Sequence, residues 1–293
     1  MRAVVIALAL ALAACGGGGA ASTAGDVSTP QPGETDVLSM AIDPADGTLL
    51  LATSPALYRL APGAKSPEKV GEPEMKAPAG TGPLRDLVMR FAGPGELLAS
   101  GHSAGGSLPN IVGLIRSPDR GTTWQEVSGM NTADYHEIEI TPELLVGLRA
   151  DNSVIYASRD GGRTFKQRTP PAEAPPIDVS VDPVDSKQWA ISTDQGTFFS
   201  VNEGGSWRLR DSTFGPRLTW TADGLYAVGR DGKVRRTTDG GRSWEERGSV
   251  GSGPRELISD ARGELFAAVN GGEVRASRDG GASWKTVTRI TGS

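Results

Sequence analysis

Ionisable side chains recur at one kind of position in this chain, the first residues of short apolar segments. They are Arg85, Asp86, His136, Glu137, Asp178, Arg217, Arg255 and Glu256. Paired carboxylates can serve as general acid and base on a sugar, and arginine binds anionic groups bidentately. If the segments are equivalent strands around one axis, these side chains converge on a site for a sugar-like or anionic ligand. The alternative is solvated strand ends whose charges pair around a water-filled channel.

The candidate roles follow from residue type. Glu137, Asp178 and Tyr135 are the candidate catalytic groups, as acid, base or nucleophile. The candidate ligand-binding residues are Arg85, Asp86, His102, His136, Arg217 and Arg255. The chain has 2 histidines, and two histidines without an evident third ligand do not define a zinc site. We therefore expect no metal and no other cofactor.

Five copies of a short motif indicate which elements position these residues. Each copy reads Ser/Thr-x-Asp/Asn-x-Gly-x-Ser/Thr-Trp/Phe, and successive aromatic residues lie 41, 42, 37 and 40 positions apart. A fixed period near 40 is typical of repeat architectures. The Asp or Asn can accept backbone hydrogen bonds in a tight turn, and the glycine permits a conformation that a Cβ opposes. The predicted structural residues are Asp119, Trp124, Asp160, Phe165, Asn202, Trp207, Asp239, Trp244, Asp279 and Trp284.

Short apolar segments between the motifs complete the repeat. One further unit without the motif begins at Val37, so six units cover residues 37–291 at about 42 residues each. The sequence predicts an all-β, six-bladed β-propeller of four-stranded antiparallel blades over residues 36–293. Residues 284–290 complete the last blade from its own chain, so we expect no strand exchanged between the termini. Residues 103–109 form a Gly/Ser/Pro insertion in blade two, where loops often shape a site.

The motif resembles the Asp-box, or BNR repeat, of sialidases, other glycosyl hydrolases and many non-enzymatic propellers. The order Gly101-His102, residues 108–115, then Asp134-Tyr135-His136 is similar to a bacterial group of sialidase-like BNR proteins. That group is commonly labelled exo-α-sialidase or glycosylhydrolase, and the likeness covers residues 37–290. The resemblance implies Asp-box turns on the blade rims and a ligand site at one mouth of the channel.

The sialidase resemblance implies an arginine cluster, a Tyr nucleophile with a Glu partner, and an Asp acid/base. Arg85, Arg217 and Arg255 start blades two, five and six and could form the cluster. The Phe/Tyr-Arg-Ile-Pro motif is absent, and Tyr135 starts blade three, the wrong blade relative to those arginines. Two functions therefore stay open. One is a surface propeller that binds a carbohydrate or a cell-surface protein without chemistry, and the other is a glycoside hydrolase with a rearranged, exo-sialidase-like site.

The N-terminus predicts export. Met1-Arg2 and a short apolar run read as a secretory signal, and Leu12-Ala13-Ala14-Cys15 resembles a bacterial lipobox. We expect residues 1–14 to be the signal peptide and residues 15–35 to be a lipidated Cys15 with a flexible tether. The predicted location is the outer face of a bacterial cell membrane, contacted through the lipid only. We expect a monomer, and the net charge of −5 argues against a nucleic-acid partner.

Overall fold

Six β-sheets surround one axis and form a six-bladed propeller, as predicted. The computed structural model describes residues 36–54, 56–171, 174–213, 215–251 and 253–291. The predicted signal peptide, lipidation site and tether lie outside these residues. Within the described part of the chain no helix is long and apolar enough to cross a membrane.

The strands run in chain order from the first blade to the last. Blade one contains β1 (Ser39–Ile42), β2 (Leu49–Ala52), β3 (Leu57–Leu60) and β4 (Glu68–Gly71). Blade two contains β5 (Glu74–Ala77), β6 (Gly80–Gly93), β7 (Glu96–Ser103), β8 (Ile111–Ser117) and β9 (Gln125–Ser128). Blade three contains β10 (Tyr135–Thr141), β11 (Leu144–Arg149), β12 (Ile155–Ser158) and β13 (Lys166–Arg168).

Blade four contains β14 (Asp178–Val181), β15 (Trp189–Thr193), β16 (Gly196–Ser200) and β17 (Arg208–Asp211). Blade five contains β18 (Arg217–Thr221), β19 (Gly224–Val228), β20 (Lys233–Thr237) and β21 (Glu245–Ser249). Blade six contains β22 (Pro254–Ser259), β23 (Leu265–Val269), β24 (Glu273–Ser277) and β25 (Lys285–Arg289).

Blade two carries a fifth strand that the sequence did not predict. β5 pairs with the first residues of β6, before β6 continues as the inner strand of the blade. The predicted insertion packs on this extra hairpin, where Ser107 N donates to Thr81 O at 2.9 Å. Gly82 permits the contact, because a Cβ there would meet Gly105 O at 2.2 Å. The hairpin was missed because the Pro, Gly and charged residues of this segment do not give the alternating apolar pattern by which strands are recognised.

Apolar side chains pack between neighbouring blades and hold the ring together. Between blades one and two, for example, Leu50 and Leu57 belong to one buried cluster with Met89 and Leu97. The strands alternate between faces with period two, so each sheet presents apolar side chains to both neighbours. This explains why the apolar segments predicted so much of the strand content.

Blade six closes the ring without a strand from the N-terminal part of the described chain, as predicted. Its four strands are consecutive, β22 to β25. The junction to blade one is held by packing of Met40 against Ile258 and Ile290, and by polar contacts of Asp36. That carboxylate lies 2.5 Å from Arg255 Nη2 and accepts a bond from Gly271 N at 3.0 Å. Packing and an ion pair therefore replace strand exchange at the closure.

The five repeated turns share one hydrogen-bond pattern. In the first, Asp119 Oδ1 accepts from Thr123 N at 2.7 Å and Oδ2 from Thr123 Oγ1 at 2.8 Å. Ser117 Oγ donates to Asp119 Oδ1 and accepts from Gly121 N at 2.7 Å. The second, fourth and fifth turns repeat these bonds. In the third turn Asn202 replaces Asp, so its Oδ1 still accepts from Ser206 N at 2.9 Å, but its Nδ2 donates to Ser206 Oγ at 3.1 Å. Hydrogen bonds, chiefly from Ser243 Oγ, lower the pKa of Asp239 to about 2.

The aromatic residues that end these turns differ in burial. Trp124 is 3% exposed and its Nε1 donates to Gly121 O at 3.0 Å. The rings of Phe165, Trp207, Trp244 and Trp284 are half-buried. All five rings directly precede the outer strand of their blade, so strand position does not explain the difference. Trp124 is buried because it lies in one cluster with apolar side chains of blade one, such as Leu57.

Candidate functional site

Charged side chains from five blades meet at the propeller axis. The first strand of each four-stranded blade, together with β6, forms the inner ring, and each inner strand lies next to the following one. Near the end of β6, Arg90 Nη2 donates to Glu137 Oε1 and to Glu256 Oε1, both at 2.8 Å. We refer to Arg90, Glu137, Glu139, Asp178, Arg217 and Glu256 as the axial cluster. One guanidinium thus ties blade two to blades three and six.

The two predicted catalytic carboxylates are already engaged. Glu137 Oε1 accepts a hydrogen bond from Arg90 Nη2, and Glu137 Oε2 lies 3.7 Å from Arg217 Nη1. Asp178 Oδ1 accepts from Val179 N at 2.7 Å and Oδ2 from Leu218 N at 2.9 Å. Both side chains are buried. Each carboxylate therefore joins neighbouring strands, and in neither carboxylate are both oxygens free to contact a substrate.

Serine hydroxyl groups add further hydrogen bonds between neighbouring blades around the axis. Glu139 Oε1 accepts from Ser180 Oγ at 3.2 Å, and Ser180 Oγ in turn accepts from Trp220 N at 2.9 Å. Met89 N donates to Ser39 Oγ at 3.1 Å between blades two and one. The axial polar residues thereby satisfy inter-blade backbone groups that the sheets themselves leave unpaired.

Burial makes the acidic groups of the axial cluster hard to ionise. It raises the pKa of Glu139 and of Glu256 to about 7, against the opposing pull of Arg90. Burial, with repulsion from Glu137, raises the pKa of Asp178 well above its usual range. Burial disfavours the charge on Arg90 as well, but Glu256 and Glu137 outweigh it and raise the pKa of the guanidinium. The cluster therefore holds protons near neutral pH beside a permanently charged arginine.

We expect the propeller to lose stability as the pH rises from about 5 to about 8, by on the order of 1–3 kcal/mol. Glu139 and Glu256 bind protons more tightly when folded, with pKa values of about 7 against 4.5 ordinarily. Across that window the folded state carries more protons than the unfolded state, so deprotonation favours unfolding. Urea unfolding at both pH values measures the change, and Glu256→Gln should flatten it. A free energy of unfolding that rises with pH would contradict this assignment.

Tyr135 is not placed to act on a ligand in the channel. Its ring is 3% exposed and packs 5.5 Å from the ring of Phe165 and 6.2 Å from that of Tyr156, between centroids. Burial raises the pKa of Tyr135 to about 12. The structure places this candidate nucleophile in the buried cluster between blades two and three.

The other predicted ligand-binding residues divide into three groups. Arg217 joins the axial cluster through Glu137. Arg85 forms an ion pair with its neighbour Asp86, and Arg255 binds Asp36 and Asn270. The predicted convergence of the charged inner-strand residues therefore does not extend to Arg85, Asp86 and Arg255, which pair with local partners. It does not extend to His136 either, which contacts Asp134.

The two histidines form a third group with an acid that the sequence did not single out. His102 Nε2 lies 3.6 Å and His136 Nε2 3.3 Å from Asp134 Oδ2. The two rings meet edge to face, with centroids 6.3 Å apart. The structure therefore brings the two candidate ligand-binding histidines together. Asp134 lies two residues before His136 in a loop, and only the fold brings it to His102.

Arg90 and Glu139 were also missed. Arg90 stands between Met89 and Phe91 in the otherwise apolar stretch 87–92 of β6, and Glu139 shares its strand face with Glu137. A charge in the middle of an apolar strand was the available signal for Arg90. Its partners lie 47 and 166 residues away, so no local pattern could identify them.

A cavity of about 780 Å³ opens at the face where the inner strands end. Arg90 and Glu139 lie on its floor, and Trp220 on its wall. Its rim carries exposed small or apolar residues from the first turns of five blades, namely Pro44, Pro142, Pro183, Val184, Ala222 and Ala261. Asp279 and Gly280 of the last repeated turn also border it, so that turn lies nearer the channel than the resemblance implied.

Comparisons with known proteins support the fold. No protein-family model and no curated protein matches the sequence. Among solved structures the chain is similar to YCF48 from Cyanidioschyzon merolae, with 16% identity, a TM-score of 0.53, and 88% of this chain and 86% of that chain covered. It is also similar to virginiamycin B lyase from Staphylococcus aureus, with 12% identity, a TM-score of 0.57, and 87% and 84% covered.

A third similar structure is the WD40 β-propeller domain of Doa1, with 12% identity, a TM-score of 0.54, and 82% of this chain and 78% of that chain covered. At these identities the likeness concerns the propeller fold alone. A propeller fold by itself does not define a function.

Proposed function

We propose that this chain is an exported, lipid-anchored Asp-box propeller that binds a carbohydrate or a cell-surface protein and does not hydrolyse glycosides. The observation that carries the proposal is the state of the axial carboxylates. Glu137 is bonded to Arg90 and approached by Arg217, and Asp178 accepts two backbone hydrogen bonds. A glycosidase needs two carboxyl groups facing the scissile bond with a gap for sugar or water, and these groups are committed to the scaffold.

The cavity at the inner-strand ends is the binding surface that we favour. Its lining includes Arg90 and Glu139, and its border combines exposed small or apolar residues, such as Val184, with exposed charged residues, such as Arg262 and Arg278. A concave site that combines apolar lining with a few convergent polar groups is the usual form of a ligand site. Val184 is 80% exposed on this border, so it is a position from which contact with a partner can be measured.

Site-specific photocrosslinking would test this binding role. A benzophenone amino acid at position 184 should give a specific adduct on the surface of cells that naturally produce the protein. Position 201 is the matched control, because Val201 is in the same blade, is 73% exposed and lies outside the cavity lining. Equal labelling from both positions, or none from position 184, would count against the cavity as the binding surface.

A panel of fluorogenic glycosides, α-sialosides included, tests the alternative. We expect no turnover above background by the purified chain. Turnover that Glu137→Gln or Asp178→Asn abolishes, in variants that unfold like the wild type at matched pH, would reinstate the hydrolase. The two carboxylates are suitable targets, because the sequence identifies them as candidate catalytic groups and the structure places both in the axial cluster.

The anchor is proposed from the sequence alone. Residues 12–15 read Leu-Ala-Ala-Cys after a short apolar run, and Cys15 is the single cysteine of the sequence. In bacteria that produce the protein, metabolic labelling with a palmitate analogue should mark the wild type and leave Cys15→Ala unlabelled. One acyl chain binds a membrane only reversibly, so firm anchoring requires more than one. Equal labelling of the two forms would refute the lipid anchor.

A further inference from the structure

We propose that His102, Asp134 and His136 form a site for one divalent transition-metal ion, with zinc as the representative ion. The three side chains come from the end of β7, the loop before β10, and the second residue of β10. One donor atom from each lies within 4.8 Å of the others. This inference concerns the face where the inner strands begin. It is therefore independent of the proposed binding role of the cavity on the opposite face.

The spacing of the donor atoms fits coordination better than hydrogen bonding. Asp134 Oδ2 lies 3.3 Å from His136 Nε2 and 3.6 Å from His102 Nε2. Good N–H···O bonds measure about 2.7–3.2 Å. Nitrogen and oxygen ligands at about 2.0–2.2 Å from a tetrahedral zinc ion lie about 3.3–3.5 Å from each other. The carboxylate oxygen thus sits at nearly the edge length of a coordination tetrahedron from both imidazoles.

Protein groups do not satisfy this cluster. His102 Nδ1 and Asp134 Oδ1 are buried and have no hydrogen-bond partner among the described residues. Buried polar atoms of this kind are uncommon. They are the second polar atoms of the two side chains, and Nε2 of His102 and Oδ2 of Asp134 are the atoms that would hold the ion. The nearby cation of Arg85, which lies opposite His102 in the β6–β7 ladder, is already paired with Asp86. Among the described residues, the ion-pair partners of Asp134 are the two imidazoles.

Backbone irregularities aim the two histidines at each other. His136 is the extra residue of a bulge between Tyr135 and Glu137, and the β7–β8 register shifts between Ser100 and His102. Bulges re-aim a side chain and are over-represented beside functional sites. Tyr135 N donates to Ser100 Oγ at 3.3 Å, which ties the start of β10 to β7. The site therefore bridges blades two and three on a rigid pair of strands.

The donor set indicates which ion would bind. Two imidazoles and one carboxylate suit zinc, iron(II) or manganese(II) and disfavour calcium and magnesium, which prefer oxygen ligands. Three protein ligands leave a fourth position of the tetrahedron for water or an exogenous donor. His136 is the solvent-facing ligand, with its side chain 60% exposed. An ion held here would be accessible from the surface.

Calorimetric titration of the whole chain with Zn²⁺ would test the site, with Co²⁺ absorption as the spectroscopic readout of imidazole coordination. The protein should carry no histidine tag, and Cys15→Ser removes its single thiol. We expect one ion per chain. His102→Ala and Asp134→Asn should each weaken affinity more than about tenfold, since even residues that only orient a ligand cost 10–100-fold.

Glu143→Gln is the matched control, because Glu143 is an exposed carboxylate in the turn at the other end of β10. It should leave zinc affinity unchanged. Thermal unfolding of each variant without metal separates loss of a ligand from loss of the fold. Absence of saturable one-to-one binding in the folded wild type would overturn the proposal. So would affinity that His102→Ala leaves intact.

Discussion

Replacement of Arg90 by methionine should destabilise the propeller by about 3–5 kcal/mol at neutral pH. Methionine keeps much of the side-chain volume and removes the charge. Glu137 and Glu256 then lose the guanidinium that donates to both at 2.8 Å, in a site where both side chains are buried. A buried ion pair is costly to break, because the partner left behind is a charge without compensation.

Chemical denaturation at pH 7 measures the effect of this substitution. Arg59→Met is the control, because its pair with Glu68 has the same 2.8 Å distance but side chains that are 44% and 69% exposed. Exposed pairs contribute at most about 1 kcal/mol. Similar losses for the two variants would show that Arg90 does not organise the axial carboxylates. The Arg90 variant should also recover part of its stability at acidic pH, where the carboxyl groups are protonated.

Trp124→Ala should cost about 3–5 kcal/mol, the range for truncating a large buried aromatic residue. Trp124 is 3% exposed and belongs to the buried cluster between blades one and two. Its Nε1 also donates to Gly121 O, so truncation removes a turn bond together with the packing. The same substitution at the half-buried Trp207 is the internal comparison and should cost clearly less.

Thermal or urea unfolding of these two variants distinguishes packing from turn chemistry. Both tryptophans end a turn of the same pattern, so equal losses would mean that the turn, not burial, sets the contribution. A negligible loss for Trp124→Ala would show that its pocket collapses readily around the truncated side chain. The burial difference arises from neighbours, since Trp124 is buried in one cluster with residues of blade one, whereas Trp207 is only partly buried against the cluster of blades three and four.

The repeat explains why so much of the fold could be predicted. Each turn is a local structure, closed by bonds between residues at most four positions apart, such as Ser117 with Gly121 and Asp119 with Thr123. Its signal is therefore contained within eight consecutive residues. Five such signals at a nearly constant period determine the number and spacing of blades. The hairpin of β5 escaped prediction because it is a departure from the repeat.

The site was predictable only in part, because its contacts join residues that lie far apart in the sequence. Inner-strand starts are equivalent positions, so Glu137, Asp178 and Arg217 could be expected near one axis. Arg85 and Arg255 occupy the same kind of position, yet Asp86 and Asp36 hold them away from it. Side-chain direction depends on a β-bulge or a neighbouring acid, and neither follows from the period of the repeat.

The sequence by itself determined the propeller, its six blades, the turns and the closure by consecutive strands, because these depend on local bonds and strand periodicity. Only the tertiary structure decided what the charged residues do. Arg90 meets Glu256 across 166 residues of chain, and Asp134 reaches His102 across a blade boundary. Distances of this kind are set by the curvature of the whole ring. Whether a carboxylate supports the scaffold, or is left to bind a ligand, is therefore a property of the assembled blades.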